Sequence, residues 1–143
     1  MATKKKAELS DHEIKHLEFI QGAIGRMGAN SFQMKSWMLV VVTALLGSYA
    51  NTGSKNFALL AVFPTFIFWC LDTYYLQQER KFRGIYNDVA GISEHPQAVR
   101  PFEMPIHLYN EKKHSFWDVF GSFTIVLLYG SIIAVLLVIY FFL

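Results

Sequence analysis

Cysteine occurs once in the 143-residue chain, at Cys70, so no internal disulfide can form. That residue lies inside an apolar run, where a thiol packs as a small hydrophobe. Charge is also scarce, at 17% of residues against 53% apolar and 16% aromatic. The apolar residues gather into long runs rather than at amphipathic spacing, which excludes an ordinary soluble domain and points to an integral membrane protein. No glycine-rich phosphate loop and no nucleophile elbow occur, so neither a nucleotide-hydrolysing nor a serine-hydrolase activity is expected, and no cofactor is implied. The opening MATKKKAELS is basic, but polar sequence follows it up to about Trp37, so no signal peptide is expected. At this length the reading is one membrane domain, residues 1–143, multiplied by homo-oligomerisation rather than extended by a second soluble module.

Three runs are present that can cross a bilayer. They are Trp37 to Ala50, Phe57 to Leu76, and Phe116 to Leu143. A spanning helix needs roughly 20 apolar residues. The second and third satisfy this; the first has 14 and must be completed by its flanks. The polar segment 51–56 between the first two runs reads as the turn of a helical hairpin. The expected fold is therefore all-α and integral to the membrane, with three transmembrane helices over 36–50, 57–76 and 116–143. Of the 13 Lys and Arg residues only Lys55 lies in the hairpin turn, so the positive-inside rule places the N-terminus and residues 77–115 in the cytoplasm and the C-terminus in the periplasm.

Both hairpin arms continue past the apolar runs with a heptad pattern. On the first arm Glu13, Leu17, Ile20, Ile24, Met27, Ser31 and Met34 are spaced 4, 3, 4, 3, 4, 3; on the second Leu71, Tyr75, Gln78, Phe82, Ile85 and Val89 are spaced 4, 3, 4, 3, 4. These seams predict a cytoplasmic two-helix stalk built from the N-terminal helix within 1–35 and an extension over 77–90. Pro64 predicts a kink in the middle of the second span. Residues 91–115 hold Pro96, Pro101 and Pro105 without periodicity and read as a cytoplasmic loop returning the chain to the membrane.

Five groups of residues are weighed for function. Asp72 is the one carboxylate inside the second apolar run, roughly 22 Å from its outer end at helical rise. An unpaired carboxylate at that depth is costly, so a partner is required. The hairpin turn is centred so that Lys35 lies at the same depth on the facing helix; Lys35 and Asp72 are expected to form a structural ion pair or a switch, with Arg26 and Arg80 as other partners. Gly121, Gly130 and Ala134 form a small-residue face on the third run that suits helix contact between subunits. The string HEIKH at 12–16 has the spacing of a zinc-protease helix, with His12, Glu13 and His16 as nominal ligands. A lysine beside His16, no third ligand at a known spacing and an ordinary capping role for Glu13 argue against it, and neither a metal nor an enzyme is expected. Dispersed His95, His107 and His114 with Glu94, Glu103 and Glu111 lack ligand spacing too. Finally, the basic clusters Lys4 to Lys6, Arg80 with Lys81 and Arg83, and Lys112 with Lys113 carry the positive-inside signal and suit anionic lipid headgroups or an acidic small-molecule ligand, not nucleic acid.

Three strings together resemble a known plan: LEFIQGAIGRMGANSFQMKSW before the first run, FWCLDTYYLQQERKFRGIYNDV leaving the second, and RPFEMPIHLY before SFW and the last run. The chain resembles small bacterial multi-span membrane proteins and is similar in plan to the membrane effectors of antiphage defence, which pair a few spans with cytoplasmic helices. That resemblance implies an oligomeric protein of the inner membrane, which perturbs or permeabilises it as a pore or channel when a cytoplasmic signal arrives. A non-conducting anchor or assembly subunit that recruits a soluble cytoplasmic partner is the other expectation.

Overall fold

A computed structural model describes residues 10–110 and 115–143, and every regular element in them is helical. The expectations resting on Lys4 to Lys6, Glu111, Lys112, Lys113 and His114 lie outside the described residues. Helix α1 runs from Asp11 to Thr52 and α2 from Asn56 to Val89. A short α3 covers Phe116–Phe120, and α4 covers Phe123–Phe142.

The start of α1 is written in its first residues. Ser10 accepts a hydrogen bond from the Glu13 backbone N–H, and the Glu13 side chain accepts from the Ser10 backbone N–H at 2.8 Å, a reciprocal capping box. These bonds, from the Ser10 backbone first and its hydroxyl second, hold the Glu13 carboxyl below the usual carboxylate range. The end of α1 is set by Gly53, whose φ of 69° is a left-handed conformation that glycine adopts without strain; its N–H bonds the Tyr49 carbonyl at 2.8 Å. Only three residues separate the helices, so α2 must return antiparallel along α1. The α2 helix is continuous across Pro64, and the Thr65 hydroxyl donates to the Ala61 carbonyl beside it.

Two cores form along this hairpin. At the end nearer the turn, Met38, Val42, Ala61, Val119, Ile125, Tyr129 and Leu136 pack together, which seats α3 and α4 against the hairpin. At the polar end, Ile20, Ala23, Phe82, Ile85 and Tyr109 make a separate cluster, flanked by Val99, Met104 and Ile106. The return segment 91–110 is thus part of the packing, with a 3-10 turn at Ile106–Tyr109, and the expected two-helix stalk has a third component.

That component shifts the seam. Ile20, Phe82 and Ile85 are buried and Leu17, Ile24 and Tyr75 are half-buried, but Glu13 and Leu71 are exposed, and the buried stripe on α1 includes His16 and Ala23 instead. A segment packed beside α1 widens its buried face toward His16, which a heptad count on two helices does not register.

Two described helices are long and apolar enough to cross a membrane: α2, and α4 with 20 residues. The apolar stretch of α1 is not among them. The third run is also not one helix from 116 to 143. It breaks at Gly121 and Ser122, where the Gly121 N–H closes α3 onto the Trp117 carbonyl and Ser122 takes an extended conformation before α4 begins.

Candidate functional site

Asp72 lies where α1, α2 and α4 meet, and its side chain is fully buried. Charge burial of this kind is stable only when every lone pair has a donor. Lys35 Nζ approaches Asp72 Oδ2 at 2.7 Å and Oδ1 at 2.8 Å. Ser31, one turn before Lys35, accepts from its ammonium at 2.8 Å and donates to Asp72 Oδ1 at 2.5 Å. From α4, the Tyr129 hydroxyl donates to Asp72 Oδ2 at 3.1 Å. The carboxylate thus binds donors from two other helices at once, and Arg26 and Arg80 take no part.

Ser31 and Tyr129 were not legible as members of this site. Ser31 sits four residues from Lys35 on the same helix face, which hinted at its place. Nothing in the sequence indicated Tyr129, whose contact is 57 residues away. Its position is fixed by stacking: Trp69 lies between the rings of Phe120, at 4.5 Å and 4°, and Tyr129, at 5.8 Å and 10°. The Trp69 indole N–H also donates to the Phe120 carbonyl at 3.3 Å. This aromatic stack anchors α3 and the first turns of α4 to α2 one turn from Asp72.

A second polar cluster closes the far end. The Asp88 carboxylate accepts hydrogen bonds from the Ser93 and Tyr109 hydroxyls and from the Gln97 backbone N–H at 3.2 Å. Burial, and then the neighbouring Asp88, push the Tyr109 phenol well above its ordinary range. The Tyr109 ring lies on Gly84, where a Cβ would come within 2.7 Å of it, so the absence of a side chain lets the segment seat on α2. On α1, the His16 ring nitrogen Nε2 is 3.0 Å from the Glu103 carbonyl, and its ring is 5.9 Å from that of Phe102, a non-glycine residue held at a φ of 64°. Lys81, read with Arg80 and Arg83 as a basic cluster for anionic headgroups or an acidic ligand, is buried and donates to Asn110 Oδ1 at 2.7 Å.

The remaining candidates do not converge. In HEIKH, His12 is exposed, Glu13 is engaged by Ser10 and His16 is buried against the return segment. Among the described residues no three His, Cys, Asp or Glu side chains come together as a metal site. Gly121, Gly130 and Ala134 line an outward apolar groove with Phe123, Val126 and Leu127, while α4 packs on α2 through Ile125, Tyr129 and Leu136. Compared with known proteins, the chain matches no family model, no curated sequence and no solved structure.

Proposed function

We propose that the chain is an oligomeric effector of the bacterial inner membrane, of the kind used in phage defence, in which a cytoplasmic cap holds the spanning helices closed until a signal reaches it. The observation that carries this reading is the Ser31–Lys35–Asp72–Tyr129 cluster. It sits at the boundary between the polar and apolar ends and joins the three helices that any rearrangement must separate. In this reading α1 from about residue 36 accompanies α2 across the bilayer, packed on it through Met38 and Val42 with Trp37, Leu39 and Val40 facing outward, which makes three spans. The distribution of basic residues supports a cytoplasmic cap, residues 11–35 and 77–110, and a periplasmic end of α4.

Mechanistically, the ion pair, with Asp72 fully buried and Lys35 on its more exposed side, acts as a latch. Its Coulomb attraction is strong where water is excluded, and it fails abruptly once helix separation admits water. A shift of α1 against α2 of a few ångströms removes Lys35 and Ser31 from Asp72 together, because both lie one turn apart on α1. The freed carboxylate and ammonium then supply the polar surface that a conducting path between subunits requires. The test is membrane potential in cells expressing wild type, Asp72→Ala and Lys35→Ala. Both variants are expected to depolarise cells without a trigger, while wild type does so only on signal. Unchanged potential in all three, under every condition of co-expressed neighbouring genes, sinks the proposal.

The second reading is a non-conducting anchor that presents the cap to a soluble partner. It is favoured by the outward face of α4, where Phe123, Leu127, Val135 and Val138 are all exposed and apolar. Stable co-purification of one soluble protein with a chain that never alters membrane potential would select it.

A further inference from the structure

Between the last turns of α2 and the return segment lies a cavity of about 440 Å³. Small-molecule sites run from roughly 300 to 1,000 Å³, so this one admits a ligand of nucleotide size. Its α2 wall carries Arg80, Arg83 and Asn87, its loop wall Ser93, His95 and Gln97, and its floor Leu108 and the Tyr109 ring. The one carboxylate in the lining, Asp88, is already consumed by the three donors described above. Arg83 is paired with Glu79 through two hydrogen bonds of 2.9 and 2.7 Å to one oxygen, an exposed pair one turn apart on α2. Arg80 has no hydrogen-bond or ion-pair partner among the described residues, and the side chains of Asn87, His95 and Gln97 are likewise unbonded there.

We infer that this cavity is a binding site for a phosphate-bearing small molecule of nucleotide size, with Arg80 as its principal anion contact. An arginine fork matches phosphate oxygens bidentately, and amide and imidazole donors around it complete the shell. The Leu108 and Tyr109 floor offers an apolar face for a ring system. A bilayer headgroup is the less suitable source of phosphate. Gly84, at the cavity, lies twelve residues beyond Asp72 on α2, roughly 18 Å further along the helix. The site depends on neither the latch nor conduction for its chemistry, but its role as the cytoplasmic signal rests on the effector reading.

The test uses the full chain in nanodiscs of zwitterionic lipid, titrated calorimetrically with ATP and with pyrophosphate. Saturable binding of at least one probe is expected, weakened tenfold or more by Arg80→Gln and unchanged by Arg26→Gln, which removes an equal charge from outside the cavity. Should Arg80→Gln fail to fold, Asn87→Ala and His95→Ala must each weaken binding. No saturable binding of either probe overturns the inference, as does Arg80→Gln titrating like wild type. Loss of ATP binding when anionic lipid is added to the nanodisc assigns the site to a headgroup and overturns it too. ATP binding by a chain that never alters membrane potential upholds the site and fails only the effector reading. Depolarisation by a chain that binds neither probe does the reverse.

Discussion

At Asp72 two opposed effects are decided by magnitude. Desolvating a carboxylate and an ammonium costs several kcal/mol per ion, and only close pairing with complete hydrogen bonding offsets that. Removing Lys35 strands the fully buried Asp72, so Lys35→Ala should lower stability by about 3–5 kcal/mol, whereas Asp72→Ala should cost less because the Lys35 side chain is 27% exposed and its ammonium can reach water. Replacing both with apolar residues, Lys35→Met with Asp72→Leu, should cost less than Lys35→Ala alone, with a remaining loss because the buried Ser31 and Tyr129 hydroxyls lose their acceptor. Thermal unfolding in detergent micelles measures this, and a double variant no more stable than Lys35→Ala would refute the pairing account. A second residue-scale prediction concerns Gly84. Alanine there forces a Cβ into the Tyr109 ring, and overpacking of this sort costs about 1–3 kcal/mol. In a Tyr109→Ala background the same Gly84→Ala change should be close to neutral, since the obstructing ring is gone. Tyr109 also carries a pH dependence. Its folded-state pKa is raised above the ordinary value of about 10, so its contribution to stability is complete below that pH and declines as pH rises above it. Urea unfolding at pH 8 and pH 10.5 should show a smaller alkaline loss for Tyr109→Phe than for wild type.

At the scale of elements, the break between α3 and α4 is the feature least like its sequence. An apolar run that reads as one span divides because Gly121 ends α3 and Ser122 opens α4 in an extended conformation. On the two sides of the break, Tyr129 of α4 meets Asp72 and Phe120 of α3 stacks on Trp69. The Ser122 hydroxyl is buried and bonds no acceptor among the described residues. Ser122→Ala should therefore leave thermal stability unchanged or raise it, because an unsatisfied hydroxyl is removed with little volume. A melting point several degrees lower would show that the hydroxyl has an acceptor after all. The capping box of α1 belongs to the same scale but was readable, since its rule acts over four residues; the other end is legible only as the turn over 51–56, and the left-handed Gly53 that closes the helix is a finding of the structure.

At the scale of the whole molecule, the polar and apolar ends have separate cores, and the polar cluster around Asp72 lies between them. The proposed orientation predicts that, in a Cys70→Ala background, Asn51→Cys is labelled by a membrane-impermeant maleimide on intact spheroplasts and Gln97→Cys only after permeabilisation. The opposite pattern would reverse the topology. The sequence by itself determined what local rules and charge counts control: helical runs, the hairpin turn, the capped start of α1, and the requirement that Asp72 find a partner at the depth of Lys35. Register across a tight turn conveys that last item, because two antiparallel helices with a known turn leave little freedom in pairing. Only the tertiary structure decided how the return segment widens the buried face to His16 and Ala23, where the last apolar run breaks, and that Tyr129 completes the Asp72 cluster. These depend on contacts between segments dozens of residues apart, whose energy lies in packing and burial rather than in any periodicity along the chain.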